Sequence, residues 1–446
     1  MNYEFFINWF AFAITCCIFL LLAFSFYYLA YLIEACRKPE KFKKGEKNFK
    51  YAVLIPARNE DKFIANILTS LKAQDYPKEF FDVYVIIESK DDPTYQITKS
   101  FGYNVIVRTN LVNRRTKGFA LQEAIEQIWE SGKEYDSVII FDADNIMNKD
   151  FISLLNDVKN QGYQIGVGYR NFTNATENWV SACSATLFAF MNQFTSKGRS
   201  KYLKKATLTG TGYYVDMQVI RDAGGWIWTG FTEDVELTTY SYYHDVSMHY
   251  YPYAMYYDEQ PTSKKVLHNQ HIRWVWGFIG NKKKFKKGGV NYHTNSKFVQ
   301  GVAKFEYNFS IWPFVIFIIT CLLSFLTMFV LLFISIFDPA IPHDTRLEAN
   351  MWIAFHTLFY FSLLYLSFII AALIPICLDN KNLKFPPSVI AKILFSYMFF
   401  FGDFLYAFLD GGFHKKKRTV WKAIEHKGKI VDKQALEVKG AEDEQK

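Results

Sequence analysis

A chain of 446 residues that is half hydrophobic, 19% aromatic and formally +8 is longer than one globular core needs, since domains commonly run about 100–200 residues. Near-zero mean hydropathy at that apolar content excludes an evenly mixed soluble composition, so polar and apolar residues must be segregated along the chain. The positive charge gathers between Arg37 and Lys50, in Lys282–Lys287 and in Lys415–Arg418, each beside an apolar run, so membrane lipids with anionic head groups, and no nucleic acid, are the expected partners.

From Ile7 to Ile33 the chain carries no charge, more than the roughly 20 residues a helix needs to cross a hydrocarbon core. This reads as a retained anchor, because a cleaved signal would have a basic start and a small-residue exit. The lysines that follow place residue 50 on the cytosolic side. The six cysteines, Cys16, Cys17, Cys36, Cys183, Cys321 and Cys377, lack metal-ligand spacing and read as small hydrophobes in a reducing compartment, without zinc or disulfides.

Residues 51 to about 260 alternate strand-like and helix-like runs, the pattern of an α/β domain with a largely parallel sheet. Strands are predicted at Tyr51–Pro56, Asp82–Ile87, Asn104–Arg108 and Ser137–Phe141, with helices at Asp61–Ala73 and Gly118–Glu130. Ligands of open α/β sheets sit beyond the carboxyl ends of the strands. There the polar groups collect: Arg58, Asn59 and Glu60 after the first strand, Glu88, Asp91 and Asp92 after the second, Asp142 and Asp144 after the fourth. Farther on, Phe309–Phe337 and Met351–Leu378 are long enough to cross a membrane, and Val389–Leu409 is a third apolar run, interrupted by Lys392, Asp403 and Asp410. Three crossings would leave the KKKR tail outside, against the positive-inside bias, so two crossings plus an interfacial or re-entrant helix are favoured. The chain thus divides into an anchor (1–36), a cytosolic domain (37–262), interfacial helices (263–307), two membrane helices (308–378), a further interfacial or membrane helix (379–412) and a basic, then disordered cytosolic tail (413–446).

Four short segments carry possible chemistry. Asp142-Ala143-Asp144 emerges from a buried-type strand and suits a divalent cation shared with a diphosphate, or simply forms a surface turn. Thr232-Glu233-Asp234 offers a carboxylate to take the proton of an attacking hydroxyl, or a helix start capped by Thr232. Gln270, Arg273 and Trp274 share one face if their segment is helical, so Arg273 can pair with diphosphate and Trp274 stack on a sugar. The same pattern describes an amphipathic helix on a membrane surface, and the two readings are compatible. Lys117 opens a helix, where ammonium and helix N-terminus both attract phosphate or where a lysine is merely solvated.

Taken in order, PARNE at 56–60, Asp92, Lys117-Gly118, Asp142-Ala143-Asp144, Gly210-Thr211-Gly212, Gly224-Gly225-Trp226, Thr232-Glu233-Asp234 and QHIRW at 270–274 resemble the family 2 processive glycosyltransferases, the group of cellulose, chitin, hyaluronan and poly-N-acetylglucosamine synthases. The resemblance runs from Tyr51 to about Gly277. It implies a GT-A fold, a UDP-sugar donor and Mg²⁺ or Mn²⁺. It further implies that Pro56, Ala57, Arg58, Asn59 and Glu60, with Glu88 and Asp92, hold the nucleotide, and that Lys117 and Asp142 lie near the donor. Asp144 would sit on the metal, with Asp234 as base beside Glu233, and Gln270, Arg273 and Trp274 on the donor pyrophosphate. Gly210, Thr211, Gly212, Trp226 and Trp274 would face the acceptor. Glu88 stands where the family usually has Asp. The expected activity is inverting transfer of a hexose or N-acetylhexosamine to the end of a β-linked polysaccharide, with coupled export, by a multi-pass membrane protein. The alternatives are single addition to a lipid acceptor and an inactive sugar-binding subunit; oligomeric state is not legible.

Overall fold

The computed structural model describes residues 29–112, 114–287 and 343–413, with isolated positions between 297 and 337. Most of the crossings expected at Ile7–Ile33 and Phe309–Phe337, and the tail after residue 413, therefore lie outside the described residues.

The chain runs β1 (Tyr51–Pro56), α1 (Ile64–Lys72), β2 (Phe81–Ile87), α2 (Thr94–Ser100), β3 (Asn104–Val107), α3 (Lys117–Glu130), β4 (Ser137–Ile140), β5 (Ile146–Met147), α4 (Phe151–Asn160), β6 (Ile165–Phe172) and α5 (Trp179–Phe190). A π-helical stretch (Met191–Ser196) leads into α6 (Lys197–Leu203), β7 (Tyr213–Asp216), α7 (Met217–Asp222), α8 (Glu233–Tyr243), β8 (Met248–Asp258) and α9 (Lys264–Lys287). Among the later described residues are α10 (His343–Leu378), α11 (Asn380–Leu383) and α12 (Pro387–Phe413). The four predicted strands and two predicted helices all form, the first strand at both predicted ends and the others with ends shifted by at most three residues.

One eight-stranded sheet has the order β3-β2-β1-β4-β7-β6-β8-β5. Strands β3, β2, β1 and β4 are mutually parallel, as expected, and β6 pairs parallel with β8. Antiparallel β7, between β4 and β6, makes the sheet mixed, as does β5 at the edge. Strand β1 shows why both faces are covered. Ala52 and Leu54 enter one core with Leu121 and Ala124 of α3 and Leu237 of α8, while Tyr51, Val53 and Ile55 enter the other with α1 and α4. Successive side chains alternate between faces, and every residue from Tyr51 to Ile55 is fully buried. Such a strand needs a helical layer on each side.

A third core joins α5 to the end of α10, to α11 and to α12, through Cys183, Phe188, Ile376, Ile393, Tyr397 and Phe400. Asp379, buried just beyond α10, accepts hydrogen bonds from Tyr169 Oη (2.5 Å), Gln193 Nε2 (3.0 Å) and Asn382 Nδ2 (2.7 Å). Buried Lys197 donates to the carbonyls of Ala35 (2.9 Å) and Arg37, and so caps the helical end at residues 29–35. Among the described residues one helix, Pro387–Asp410 within α12, is long and apolar enough to cross a membrane by length and composition. The expected crossing at Met351–Leu378 falls inside α10, where the described apolar stretch Tyr365–Leu378 is shorter.

Candidate active site

The loops beyond β1, β2 and β4 meet above the sheet. The β1 loop is shaped by its neighbour: Ala57 N donates to Ile86 O (2.8 Å), and Asn59 takes φ 56°, a left-handed conformation that asparagine tolerates. Buried Asp92 holds that turn, accepting from Asn59 N and Thr94 N at 2.9 Å each, while Glu60 N donates to Thr94 Oγ1 at 3.0 Å. Asp92 thus serves the backbone with both oxygens. Arg58 pairs with Glu88 at 3.3 Å, joining the two loop tips that follow Pro56 and β2.

At the end of β4, Asp142 N donates to Thr211 Oγ1 (3.0 Å) and to Asn145 Oδ1 (3.1 Å). Fully buried Asn145 also accepts from the Thr211 hydroxyl and donates to Asp258 (2.8 Å) and Asp144 (3.3 Å). Asp258 in turn receives Arg170 Nε (3.1 Å) and Nη2 (2.5 Å), and Arg170 Nη1 reaches Thr209 O (2.7 Å). A buried ion pair therefore stands behind the Asp142–Asp144 turn and holds it through one asparagine. Gly212, at φ 72°, lets the chain pass beside Tyr256, whose ring a Cβ would meet at 2.0 Å.

Lys117, the first residue of α3, is the hub of the cleft. Its Nζ lies 2.5 Å from Asp142 Oδ1, 2.6 Å from Gly210 O and 3.8 Å from Glu233. Burial disfavours its charge, yet Asp142 and Glu233 hold its pKa above the ordinary lysine value. Thr116 before it accepts from Phe119 N (3.4 Å) and donates to Thr229 O (2.8 Å), so the start of α3 is tied to the loop that leads into α8.

Glu233 and Asp234 open α8. Thr232 precedes them, but its hydroxyl makes no capping bond, and Oγ1 is buried with no partner among the described residues. Burial, then Asp234 and Asp142, push Glu233 up to about 8 against the opposing pull of Lys117. Burial also raises Asp234, whose Oδ1 accepts from Val235 N (2.8 Å). Across the cleft, burial and then Asp142 and Asp92 raise Glu60 to about 7, and burial with Asp258, Asp142 and Glu60 raises Asp144 well above its usual range. The cleft thus crowds acidic groups together, so that each resists ionising. Helix α9 supplies the opposing cation: burial lowers the pKa of Arg273, while Glu233, Asp142 and Asp234 act on it favourably. Gln270 Oε1, on the same helix, is buried without a partner among the described residues.

Two expectations change. Thr211 is fully buried and spent on Asp142 and Asn145, so it frames the turn instead of facing an acceptor. Trp226, 1% exposed, packs edge-on against Trp228 at 5.1 Å and donates to its carbonyl at 3.0 Å, a core position closed to an acceptor. Half-buried Trp274 packs edge-on to Phe188 (5.8 Å) and stacks near Phe404 (6.0 Å), between α5 and α12. Gly210 remains in the cleft: a Cβ there would lie 3.8 Å from Asp234 Oδ2. The sequence reading missed Asn145, Arg170 and Asp258. A lone arginine inside the buried strand IGVGYRNF was the one available signal, because a buried cation requires a partner.

Comparison with known proteins agrees with this architecture. The probable glycosyltransferase YdaM of Bacillus subtilis (strain 168) is 27% identical over 237 residues, covering 51% of this chain and 55% of that protein. The β-monoglucosyldiacylglycerol synthase of Trichormus variabilis is 24% identical over 240 residues, covering 51% and 48%. The chain thus spans about half the length of the curated relatives it matches. Among solved structures, the mannosyltransferase PcManGT from Pyrobaculum calidifontis, in complex with GDP-Man and Mn²⁺, superposes with a TM-score of 0.51 at 14% identity, over 84% of this chain and 98% of that one, a likeness of fold. The profile of the family described as "Glycosyltransferase like family 2" matches residues 48–277, more than half of the chain, which therefore belongs to that family.

Proposed function

We propose that the chain transfers a hexose or N-acetylhexosamine from a UDP-sugar to the end of a β-linked glycan, with inversion at the anomeric carbon. The observation that carries this reading is Lys117, which gathers Asp142, Gly210 O and Glu233 at one point, with Arg273 facing the same carboxylates. The β1 and β2 loops, through the Arg58–Glu88 pair, hold the nucleotide, and Asp92 positions that loop through its backbone bonds. Arg273 and Lys117 face the diphosphate. Asp234 takes the proton of the acceptor hydroxyl as its oxygen attacks the anomeric carbon and the UDP leaves. Glu233 is the more buried of the two acids and keeps its proton near neutrality, which leaves half-buried Asp234 to ionise and act as base. Buried and without a partner among the described residues, Gln270 Oε1 and Thr232 Oγ1 are groups that substrate hydroxyls would satisfy.

A divalent cation fits the donor set. Asp142 and Asp144 are hard oxygen ligands in a crowd of acidic groups that a cation would let ionise, and Mg²⁺ is commonly held by one or two carboxylates plus substrate phosphates. Among the described residues no group of three His, Cys, Asp or Glu side chains is placed to hold an ion, so diphosphate oxygens would complete the shell. When bound, the cation neutralises charge on the leaving diphosphate.

Membrane attachment through α12 and α10 is part of the proposal, supported by the exposed apolar residues Phe355, Leu358, Phe395, Phe399 and Phe408. A second reading, single addition to a lipid acceptor, is favoured by the packing of α12 against α5 and α9, which brings the apolar helices next to the cleft. The test is UDP release by full-length protein in detergent over a panel of UDP-sugars, followed by product sizing. A lengthening glycan supports polymerisation, a single lipid-extractable adduct supports the second reading, and release from no UDP-sugar would refute the donor assignment.

A further inference from the structure

A carboxylate in an apolar helix is costly unless it is paired, and α12 carries one at the point where it crosses α9. Asp403 accepts from His268 Nδ1 through Oδ1 (2.9 Å) and from His271 Nδ1 through Oδ2 (2.7 Å). His271 is fully buried, with its ring stacked on Phe404 at 3.6 Å between centroids. His268 stacks on Tyr406 at 4.6 Å and turns Nε2 toward Asp410 at 3.7 Å. The two imidazoles are one helical turn apart, so a single carboxylate that binds both fixes the rotation of α9 as well as its height along α12. At 3.6 residues per turn, Gln270, Arg273 and Gly277 lie on the side of α9 opposite His268 and His271. That opposite side faces the cleft: Gly277 lies against Thr232 so closely that a Cβ would meet its side chain at 2.3 Å.

We propose that Asp403 is a positioning residue for donor binding: through His268 and His271 it sets the rotation of α9 and so aims Arg273 at the donor diphosphate. This rests on the reading that Arg273 binds that diphosphate. An apolar contact at position 403 would pack the helices equally well, but it has no direction and leaves α9 free to turn.

The test is calorimetric titration of full-length protein in detergent with UDP in Mg²⁺ buffer, alongside steady-state kinetics with the accepted UDP-sugar. The variants are Asp403→Asn, Asp403→Leu, Asp403→Glu, Arg273→Ala and the double variant Asp403→Asn/Arg273→Ala. Asp403→Asn, the near-isostere least able to disturb folding, and Asp403→Leu should each weaken UDP about tenfold, the lower end of what losing one charge-assisted hydrogen bond costs. KM should rise in parallel while kcat stays within about threefold, because the lost contact binds substrate and transition state alike. Asp403→Glu should recover part of the loss, and Asp403→Asn should cost nothing further once Arg273 is alanine. Wild-type UDP affinity in a folded Asp403→Asn or Asp403→Leu protein, or an undiminished effect in the Arg273→Ala background, would overturn the proposal while leaving the diphosphate reading intact. Wild-type affinity in Arg273→Ala itself would refute that reading, and this proposal with it.

Discussion

Replacing Gly277 by alanine should separate activity from stability. The added Cβ would lie 2.3 Å from Thr232 Cγ2 and Oγ1, about 1.1 Å short of the 3.4 Å at which ordinary contact begins. Helix α9 cannot simply retreat, since His268 and His271 bind it to Asp403 on its far side. The displacement therefore falls on Thr232, one residue before Glu233 and two before Asp234. A shift of about 1 Å in a reacting group can cost on the order of 10²-fold in rate. Overpacking of this kind costs about 1–3 kcal/mol, offset by the roughly 1 kcal/mol that alanine gains over glycine inside a helix. The expected result is a loss of kcat on the order of 10²-fold with a change in unfolding temperature of only a few degrees, measured by UDP release and by thermal unfolding in detergent. A Gly277→Ala enzyme with kcat within threefold of wild type would show that α9 and the carboxylates of α8 are not mechanically joined, and the reasoning would fail.

Asp234→Asn should lower kcat by roughly 10²- to 10⁴-fold, the usual worth of a general base, with UDP affinity retained; a loss confined to KM would reassign it to binding. Glu233 is held at about 8 against an ordinary 4.5, so the folded state binds its proton over a range where the unfolded chain releases it. Stability should therefore fall as pH rises from about 4.5 through about 8, and Glu233→Gln should flatten that slope in unfolding temperature against pH. Arg170→Met would strand Asp258 and should destabilise the protein by about 3–5 kcal/mol, the cost of breaking a buried pair from one side; thermal unfolding close to wild type would show that the pair is not needed. Chelation should stop UDP release and added Mg²⁺ or Mn²⁺ restore it, with Asp144→Asn shifting the required cation concentration upward; unchanged metal dependence would remove Asp144 from the cation site.

What could be read from sequence was what repeats locally. Strands β1, β2, β3 and β4 announce themselves as apolar runs that end in polar clusters, and the structure lays them side by side with those ends together. The Asp142–Asp144, Glu233–Asp234 and Arg273 segments were equally visible, because each is a short charged interruption beside an apolar element. The frame behind them was not. Arg170 and Asp258 are 88 residues apart on β6 and β8, strands whose pairing depends on β7 entering antiparallel, and no local pattern records that. The acceptor role of Trp226 comes from the family resemblance alone, and its neighbour Trp228 supplies both the ring and the carbonyl that bury it. In the sequence Asp403 and Asp410 are charges that interrupt an apolar run and, with the KKKR tail, argue against a crossing. Their imidazole partner on α9, more than 130 residues earlier, gives them a different meaning.

The π-helical stretch and the lysine that follows it also bear on the order in which the molecule can be completed. Lys197 finds its acceptors at residues 35 and 37, already synthesised when it emerges, whereas Gln193 waits for Asp379, 186 residues later. At 5–20 residues per second that wait is roughly 10–40 s. Through this interval Gln193 and the hydroxyl of Tyr169 lack the carboxylate they share in the finished fold. All eight strands lie between residues 51 and 258, so every one of them precedes Asp379, and the arrival of that carboxylate completes the bonds that tie the end of α10 to the domain.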